Sequence, residues 1–441
     1  MKLFYALAIL TIFNNCSFDN KTGIWKNENI ASKETNDIFS EFKDLSTLNN
    51  SFDEIIKKSD DFIFNISPSF INYEWKDIFY DKSNNFKNFK YKDLNKLSYK
   101  SKKITKYKID KYLLYEDENI ISTDIKGNII IFSLKNKKLF TKFNFYKNQY
   151  KKVKKKLNII VNKNIIYVTD NIGYIYSFDY KKNKILWAKN IKIPFRSNLK
   201  IFNNKLIAAD QNNHLYFIDT KSGDILKVIP TEETLIKNKF INNLSLDNKT
   251  SYFLNTYGSL YSIDISSLKI NWVFNLNKSL DLNPSNLFIG SQLINDNNKI
   301  IITTNNMTYI LDALTGRFIS KKNFSSNLKP ILVNNYLITV TKKNLLVMMN
   351  VNNGKIIYSY NINQKISELL NIKKKKVSFK DIFLVNDNIF IFLDNSYLLK
   401  FNIYGDLNVV SKLPAKLNSQ PIFINQTIIY SNFNNKISII D

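Results

Sequence analysis

The sequence has little of the chemistry that catalysis and metal binding use. It contains one cysteine, Cys16, and one histidine, His214, in 441 residues. This composition excludes a disulfide framework, Cys/His zinc sites, iron–sulfur clusters and most histidine-based catalytic triads. Paired carboxylates, phosphate-binding loops and a Ser-His-Asp spacing do not stand out either. Much catalytic chemistry is therefore excluded before any motif is considered.

Arginine is almost absent from a strongly basic chain. Of 64 basic residues only Arg196 and Arg317 are arginine, although the formal net charge is +27. Proteins that bind nucleic acids favour the bidentate guanidinium group, so this balance argues against a nucleic-acid partner. The excess of lysine and asparagine is more simply explained by A/T-biased codons, which leaves a generally basic, solvated surface.

Long hydrophobic runs are also scarce, and the first one lies at the N-terminus. The apolar stretch 3–13 follows Lys2 and precedes Cys16. It is too short to span a bilayer as a stable helix but matches the hydrophobic region of a secretory signal. With the one cysteine directly after it, this leader resembles a bacterial lipoprotein signal, which implies a signal peptide over residues 1–15 and Cys16 as the lipidated residue. The resemblance also implies sorting to the outer membrane through Ser17, and the alternative is an ordinary buried Cys16 after a cleaved or uncleaved leader.

Residues 16–65 form a polar segment without strand-like alternation. Apolar side chains recur at helical spacing over residues 36–48 and 52–58, which predicts short amphipathic helices within a tether. Local packing is the preferred explanation for these apolar side chains, ahead of a partner-binding helix.

A repeat occupies the rest of the chain. From residue 119 onward, an apolar strand that ends in an acidic, amide or hydroxyl residue returns about every 44 residues, a period typical of four-stranded propeller blades. The eight strand ends are Ser133, Asp179, Asp219, Asp264, Asp312, Asn350, Asn402 and Asp441. Their side chains can accept hydrogen bonds from backbone amides of the turn that follows.

A second column of residues supports this repeat. The positions six residues before each strand end are Gly127, Gly173, Asn213, Gly258, Asn306, Asn344, Ser396 and Asn435. Seven of the eight are glycine or asparagine, which most easily adopt positive φ in a tight hairpin. Trp187 and Trp272 lie eight residues after their strand ends and are predicted to pack between blades.

The eighth repeat ends at Asp441 and lacks a fourth strand. An extended segment at residues 97–107 follows Trp75 and the asparagines Asn84, Asn85 and Asn88, and it could supply the missing strand. Such a pairing would remove two exposed strand edges. We therefore predict an all-β fold, an eight-bladed antiparallel β-propeller over residues 66–441, with residues 111–144 as the first blade and with ring closure by an N-terminal strand.

The repeats can be compared with a known family. The segments 215–223 and 309–316, with 185–187 on a following strand, resemble pyrroloquinoline-quinone-like (PQQ-like) propeller repeats. Together with the leader, they make the chain similar to BamB-like outer-membrane protein assembly lipoproteins. This resemblance implies a non-catalytic, monomeric scaffold without a cofactor, anchored by lipid on the periplasmic face of the bacterial outer membrane.

The resemblance also implies a partner and a site. BamB-like proteins dock through inter-blade loops on the barrel-inserting, BamA-like subunit of the assembly machinery. In this sequence the matching loop is 193–197, with Pro194, Phe195 and Arg196 as candidate partner-binding residues beside exposed apolar neighbours. The next inter-blade loop, 231–235, would supply the acidic residues Glu232 and Glu233. The alternative for Arg196 is a solvated or locally paired cation.

The enzymatic alternative is a quinone-dependent dehydrogenase on the same fold. Such enzymes present a calcium ion held by carboxylates, a catalytic aspartate and often an adjacent cysteine pair. This sequence has no second cysteine, and its aspartates at strand ends are explained by turn capping. His214 is expected to be a surface residue or the residue that starts a strand. We therefore assign no catalytic or metal-binding residue.

Overall fold

The structure, a computed structural model, describes residues 16–18, 25–27, 51–146, 150–233, 240–276, 288–326, 328–373 and 376–441. The chain separates into two units, Met1–Asn50 and Ser51–Asp441. In the first unit, strands Cys16–Phe18 and Trp25–Asn27 form an antiparallel pair. In the second unit, eight sheets follow one another along the chain.

Blades 1 to 4 are four-stranded antiparallel sheets whose strands follow one another in sequence. Blade 1 contains Leu114–Glu116, Asn119–Thr123, Asn128–Ser133 and Lys138–Asn144. Blade 2 contains Leu157–Asn162, Ile165–Asp170, Tyr174–Asp179 and Lys184–Asn190. Blade 3 contains Lys200–Phe202, Lys205–Ala209, Leu215–Asp219 and Ile225–Ile229. Blade 4 contains Asn243–Leu246, Thr250–Leu254, Ser259–Asp264 and Ile270–Asn275.

Blades 5 to 8 repeat this pattern with two additions from the N-terminal side. Blade 5 contains Ile294–Asp296, Lys299–Thr303, Thr308–Asp312 and Phe318–Lys322. Blade 6 contains Ile331–Val333, Tyr336–Val340, Leu345–Asn350 and Ile356–Asn361. Blade 7 contains Phe379–Val385, Asn388–Leu393, Tyr397–Asn402 and Leu407–Lys412, with Asn88–Phe89 parallel to its first strand. Blade 8 contains Ile422–Ile424, Thr427–Ser431 and Ile437–Ile440, with Leu97–Lys100 as its fourth strand.

The predicted eight-bladed all-β propeller is confirmed. The inner three strands of a blade are apolar on both faces because each blade is covered by two neighbours, whereas the fourth strand faces solvent. In blade 1, the third strand Asn128–Ser133 is buried throughout, while Lys138–Asn144 is mostly exposed. A helix, Ile362–Leu370, follows blade 6, and the Asn361 side chain caps its first turn by accepting from Gln364 N.

The last blade receives its fourth strand from far upstream in the sequence. Tyr99 is opposite Ile439, and Lys100 is opposite Ser438, in an antiparallel pairing. Backbone hydrogen bonds between Lys96 and Asp441 extend this contact beyond the strand itself. The first and last strands of the ring therefore lie in one sheet.

The turn chemistry of the repeat is present as the sequence predicts. The side chain of Asp219 accepts hydrogen bonds from Lys221 N and Ser222 N at 2.9 and 2.8 Å, and the hydrogen bond from Ser222 N lowers the pKa of this carboxyl. In the second column, seven of the eight positions have positive φ, and the exception is Asn306. The two turns of a blade are thus set by local backbone requirements.

Tryptophan from one blade packs on glycine of the next, which confirms the predicted role of Trp187 and Trp272. The indole Nε1 of Trp187 donates to Thr220 O at 2.9 Å, and Trp272 donates to Ala313 O at 3.2 Å. A Cβ atom on Gly223 would lie 2.6 Å from the ring of Trp187. Glycine at this position is therefore required by the neighbouring blade.

Two expectations about the N-terminal segment are wrong. Residues 52–58 are not a helix, because Phe52 N donates to Asn323 O and Ile56 forms a β-bridge with Ser359. The propeller unit also begins at Ser51 rather than at residue 66, since Phe64 is buried against Tyr336 with ring centroids 4.7 Å apart. Apolar side chains before residue 66 thus pack on blades 5 and 6. The predicted helix at 36–48 lies outside the described residues.

A non-repeating segment, residues 70–91, fills the axis of the ring, and we call it the hub segment. It makes main-chain or side-chain hydrogen bonds to the first strand of every blade or to a residue directly beside that strand. These bonds join Trp75 to Tyr115, Lys76 to Val161, Asp77 and Asn84 to Lys200, Asn84 to Leu244 and Leu293, Asn85 to Leu332, Phe89 to Asn386, and Asn72 to Phe423.

Polar side chains of the hub segment make hydrogen bonds and an ion pair to the blades, whereas its aromatic side chains pack against apolar ones. Asn84 is fully buried, and its Nδ2 donates to Leu244 O at 2.8 Å and to Leu293 O at 2.7 Å. The buried Lys200 Nζ lies 2.6 Å from a carboxylate oxygen of Asp77. Burial raises the pKa of Asp77, and the ammonium of Lys200 acts in the opposite direction. The rings of Phe86 and Phe383 pack with centroids 4.4 Å apart.

Because Gly223 contacts Trp187, we predict that alanine at position 223 lowers the free energy of unfolding more than alanine at the equivalent position of blade 2. Gly223→Ala and Asn183→Ala both place alanine at a positive-φ position, which costs about 1 kcal/mol. The tryptophans of the fourth strands, Trp187 and Trp272, lie on Gly223 and Gly316 rather than on Asn183. We expect Gly223→Ala to lose an additional 1–3 kcal/mol or so from overpacking. Urea unfolding of both variants measures the difference, and equal losses would contradict the assignment.

The hub segment predicts that a single asparagine supports the ring. Asn84→Ala removes the side-chain donor to Leu293 O and the acceptor of one hydrogen bond from Lys200 Nζ, whereas Leu244 O keeps its bond from Asn198 Nδ2. A buried polar group that loses its partner costs about 1–3 kcal/mol. The matched control is Asn136→Ala in an exposed turn of blade 1, which should stay within about 0.5 kcal/mol of the parent. Thermal and urea unfolding compare the two, and a neutral Asn84→Ala would show that the hub does not hold the blades.

Candidate functional site

The candidate site lies on one face of the ring. Because strands within a blade alternate in direction, the inter-blade loops and the turns between second and third strands lie on the same face, here called the loop face. Contacts confirm this placement: Arg196 N donates to Ala209 O at 2.9 Å, and Gln211 N donates to Pro194 O at 2.8 Å. The loop before blade 3 therefore packs against the central turn of that blade.

Arg196 joins two neighbouring inter-blade loops. Its Nη2 donates to Phe240 O at 2.9 Å, and its carbonyl oxygen accepts from Asn242 N at 3.0 Å. The residue is half-buried, and this burial lowers the pKa of the guanidinium. Of the two interpretations considered for Arg196, local pairing is present, and it holds the guanidinium at the junction of blades 3 and 4.

The neighbours of Arg196 differ from the sequence-based expectation. Phe195 is not an exposed apolar residue, because its side chain is 2% exposed and its ring packs edge-on against Tyr216 at 5.7 Å. The β-bridge between Phe195 and Asp210 turns this side chain inward. Pro194 is only partly exposed. As an exposed contact residue, Phe195 is therefore a wrong prediction, and its role is to anchor the loop.

Glu232 is a structural acceptor within the next loop. Its carboxylate accepts from Asn255 Nδ2 at 2.9 Å, Ser259 Oγ at 2.8 Å and Tyr261 Oη at 2.7 Å. Burial acts to raise the pKa of this carboxyl, but these hydrogen bonds outweigh it, so that the pKa lies below its ordinary value. Glu232 thus holds the loop onto blade 4.

Glu233 and the one histidine form an arrangement that sequence reasoning missed. The Nδ1 atom of His214 lies 2.9 Å from a carboxylate oxygen of Asp210, and Nε2 lies 3.3 Å from Glu233. His214 directly precedes the strand Leu215–Asp219, as expected for the residue that starts a strand. The i to i+4 spacing of Asp210 and His214 around a turn was the available signal, whereas Glu233 comes from another loop.

The Asp210 carboxylate is fully engaged by its own turn. It accepts from the backbone of Asn212 and His214, from the imidazole and from Tyr216 Oη at 2.9 Å. These contacts fix the turn and orient the imidazole toward Glu233. Within the described ranges, no group of three His, Cys, Asp or Glu side chains could hold a metal ion.

The structure therefore brings the predicted loops together but changes the roles of their residues. Arg196, Glu232 and Glu233 belong to adjacent loops of the loop face, with Asn242 linking the first loop to Asp210 through Nδ2 at 2.7 Å. Cys16 lies in the strand Cys16–Phe18 of the other unit. No helix among the described residues is long and apolar enough to cross a membrane.

Comparisons with known proteins agree with this architecture. Residues 149–360 match the family model described as "Outer membrane protein assembly factor BamB". Among solved structures, BamB from Moraxella catarrhalis is similar with a TM-score of 0.61 and 11% identity, over 77% of this chain and 99% of that one. None of the curated proteins compared matches this chain.

Two other solved structures share the fold. The quinohemoprotein alcohol dehydrogenase from Comamonas testosteroni has a TM-score of 0.59 and 10% identity, over 83% of this chain and 80% of that one. The computationally designed Ika8 protein has a TM-score of 0.56 and 9% identity, over 77% of this chain and 99% of that one. At such identities a structural likeness shows the fold alone. The family model covers blades 2 to 6, and over most of its length the chain is similar to BamB in its β-propeller fold.

Proposed function

We propose that this protein is a non-catalytic scaffold of the outer-membrane β-barrel assembly machinery, which docks on a BamA-like barrel-inserting subunit through its inter-blade loops. The observation that carries the proposal is the BamB family match over residues 149–360, which includes both loops of the candidate site. The mechanism is geometric, since a closed ring presents loops whose positions are set by the blades on either side.

The contacts of Arg196 support a docking role for this part of the loop face. Its guanidinium is held by Phe240 O and its backbone by Ala209 and Asn242, so little conformational freedom is left to lose when a partner binds. A half-buried arginine at a loop junction is a type of residue that often contributes strongly to protein interfaces. Glu233, more than half exposed and 3.3 Å from His214 Nε2, supplies an accessible acidic group in the adjacent loop.

The membrane attachment in this proposal rests on the N-terminal sequence. The apolar stretch 3–13 precedes Cys16, and Ser17 follows it. Acyl chains on Cys16 would contribute about 0.8 kcal/mol per buried methylene, so that several chains would hold the protein durably at the periplasmic face of the outer membrane. Mass spectrometry of the N-terminal peptide from membranes tests for the lipid, and an unmodified Cys16 would exclude this anchor.

The docking site is tested with the two arginines of the sequence as a matched pair. Arg196→Glu should weaken binding to the purified periplasmic region of the barrel-inserting subunit at least about tenfold, because it places a negative charge where the partner would contact a positive one. Arg317→Glu makes the same charge change in the exposed turn after the third strand of blade 5, on the opposite face.

The readout of this experiment is affinity together with stability. Surface plasmon resonance gives the dissociation constants, and urea unfolding verifies that Arg196→Glu keeps the fold. Equal affinities for the two variants would remove Arg196 from the interface. Absence of a barrel-assembly subunit among the proteins that co-purify from membranes would contradict the proposed function as a whole.

The alternative function is a quinone-dependent dehydrogenase, favoured only by the fold of the Comamonas testosteroni enzyme. The described residues do not fit the calcium ion of such an enzyme, because no group of three carboxylate, histidine or cysteine side chains among them could hold a metal ion. Dye reduction after reconstitution with quinone and calcium distinguishes the alternatives, and turnover above background would favour the enzyme.

A further inference from the structure

The hub segment leaves a blind cavity at the centre of the loop face, which we call the axial cup. The cup has a volume of about 280 Å³, and Ile78 and Phe79 of the hub segment line it. We include in the cup a smaller recess of about 140 Å³, which adjoins the larger part and shares Phe79, Lys111, Tyr112 and Gln292 with it. Because the hub segment closes the axis, the cup is a pocket rather than a channel.

Three lysines from different parts of the ring line the cup. Lys111 precedes blade 1, Lys156 precedes blade 2 and Lys380 lies in the first strand of blade 7. Within the described ranges none of the three forms a salt bridge, and Lys380 Nζ donates to the carbonyl of Asn418 at 2.6 Å. Positive charges thus converge from blades that are far apart in the sequence.

The three lysines interact electrostatically with one another and with nearby carboxylates. Burial lowers the pKa of Lys156, Asp110 acts in the opposite direction, and Lys111 and Arg196 lower it further. Burial also lowers the pKa of Lys380, where Asp381 and Asp394 oppose the shift and Lys111 and Lys108 add to it. Since like charges disfavour the protonated form, an anion placed among the lysines would favour their charged state.

Two acidic residues also face the cup. Asp110 lines the larger part, and its carboxylate accepts from Lys111 N. Asp381 lines the smaller part, where burial raises the pKa of its carboxyl to about 7 against the opposing charges of Lys380, Lys111 and Lys329. Lys329 is not counted among the anion-binding lysines, because its Nζ donates to Phe79 O and Asn84 O of the hub segment.

We propose that the axial cup is a binding site for a small organic anion with two or more carboxylate or phosphate groups, held by Lys111, Lys156 and Lys380. The volume suits a small molecule rather than a folded partner. Tyr112 packs edge-on against Phe79 at 5.5 Å, and Lys111 Nζ lies 4.6 Å above the ring of Tyr112. The cup thus combines aromatic and cationic side chains, and this proposal does not rest on docking through Arg196.

The site is tested with benzene-1,3,5-tricarboxylate and with pyrophosphate as probes, on the full chain without its leader. Isothermal titration calorimetry at pH 7 should give saturable binding of at least one probe, and preference for one identifies the carboxylate or phosphate class. The double variant Lys111→Gln/Lys156→Gln should weaken binding by about tenfold, which corresponds to about 1.4 kcal/mol, because two of the three cations that hold the anion are removed.

A matched control makes the same change in net charge on the opposite face. Lys135→Gln/Lys163→Gln alters exposed turn residues of blades 1 and 2 and should leave the affinity unchanged. Equal weakening by both double variants would show binding through overall charge and would overturn the site. Absence of saturable binding of either probe at millimolar concentration would also overturn it.

The pH dependence supplies a second, independent readout. Asp381 is faced by Lys380 and Asp394 of its own blade, by Lys111 and by Lys329. Its carboxyl becomes charged as the pH rises through about 7 and then repels an anion in the cup. Binding of the tricarboxylate, which stays fully ionised in this range, should therefore be severalfold tighter at pH 6 than at pH 8.

The variant Asp381→Asn isolates this effect. It should bind the tricarboxylate at pH 8 at least as tightly as the parent binds at pH 6, and its affinity should change little between the two pH values. Retention of the parent's pH dependence in Asp381→Asn would contradict the placement of this carboxyl beside the bound anion.

Discussion

The contact of the hub segment with all eight first strands is the constraint on which the other features depend. A ring of blades has unpaired backbone groups at its inner edge, and a buried unpaired group is costly. In this protein residues 70–91 satisfy part of that edge, with Asn84 and Asn85 as the main side-chain donors. The inner strands of blades 4, 5 and 6 are thereby tied to one segment of chain.

A second set of contacts joins each blade to the next around the circumference. The indole rings of Trp187 and Trp272 lie on Gly223 and Gly316, and Tyr358 Oη donates to Ile403 O at 2.9 Å in the equivalent step from blade 6 to blade 7. Gly223 and Gly316 meet a tryptophan ring at this turn position, whereas Gly354 meets Ser320 and Leu268 occupies the position in blade 4. The backbone has positive φ in all four turns, so the close approach of a tryptophan ring is an additional requirement for glycine in blades 3 and 5.

The hub and the circumferential contacts together determine what the loop face can present. The loops with Arg196 and Glu232 are held by hydrogen bonds to adjacent blades, so their geometry is set by the ring. The axial cup lies on the same face because the hub segment fills only part of the axis. One face therefore carries both a candidate protein contact and a candidate anion pocket.

The sequence by itself determined the repeat, the number of blades and the chemistry of their turns, because these depend on local backbone requirements that recur at fixed spacing. Only the tertiary structure decided which residues before the first blade belong to the ring, since residues 51–66 and the hub segment pack by long-range contacts without a period of their own. The burial of Phe195 and the pairing of His214 with Glu233 were likewise not readable from the sequence, because each depends on a segment that folding brings from elsewhere. The convergence of Lys111, Lys156 and Lys380 has the same cause: residues far apart along the chain meet at the axis once the ring closes.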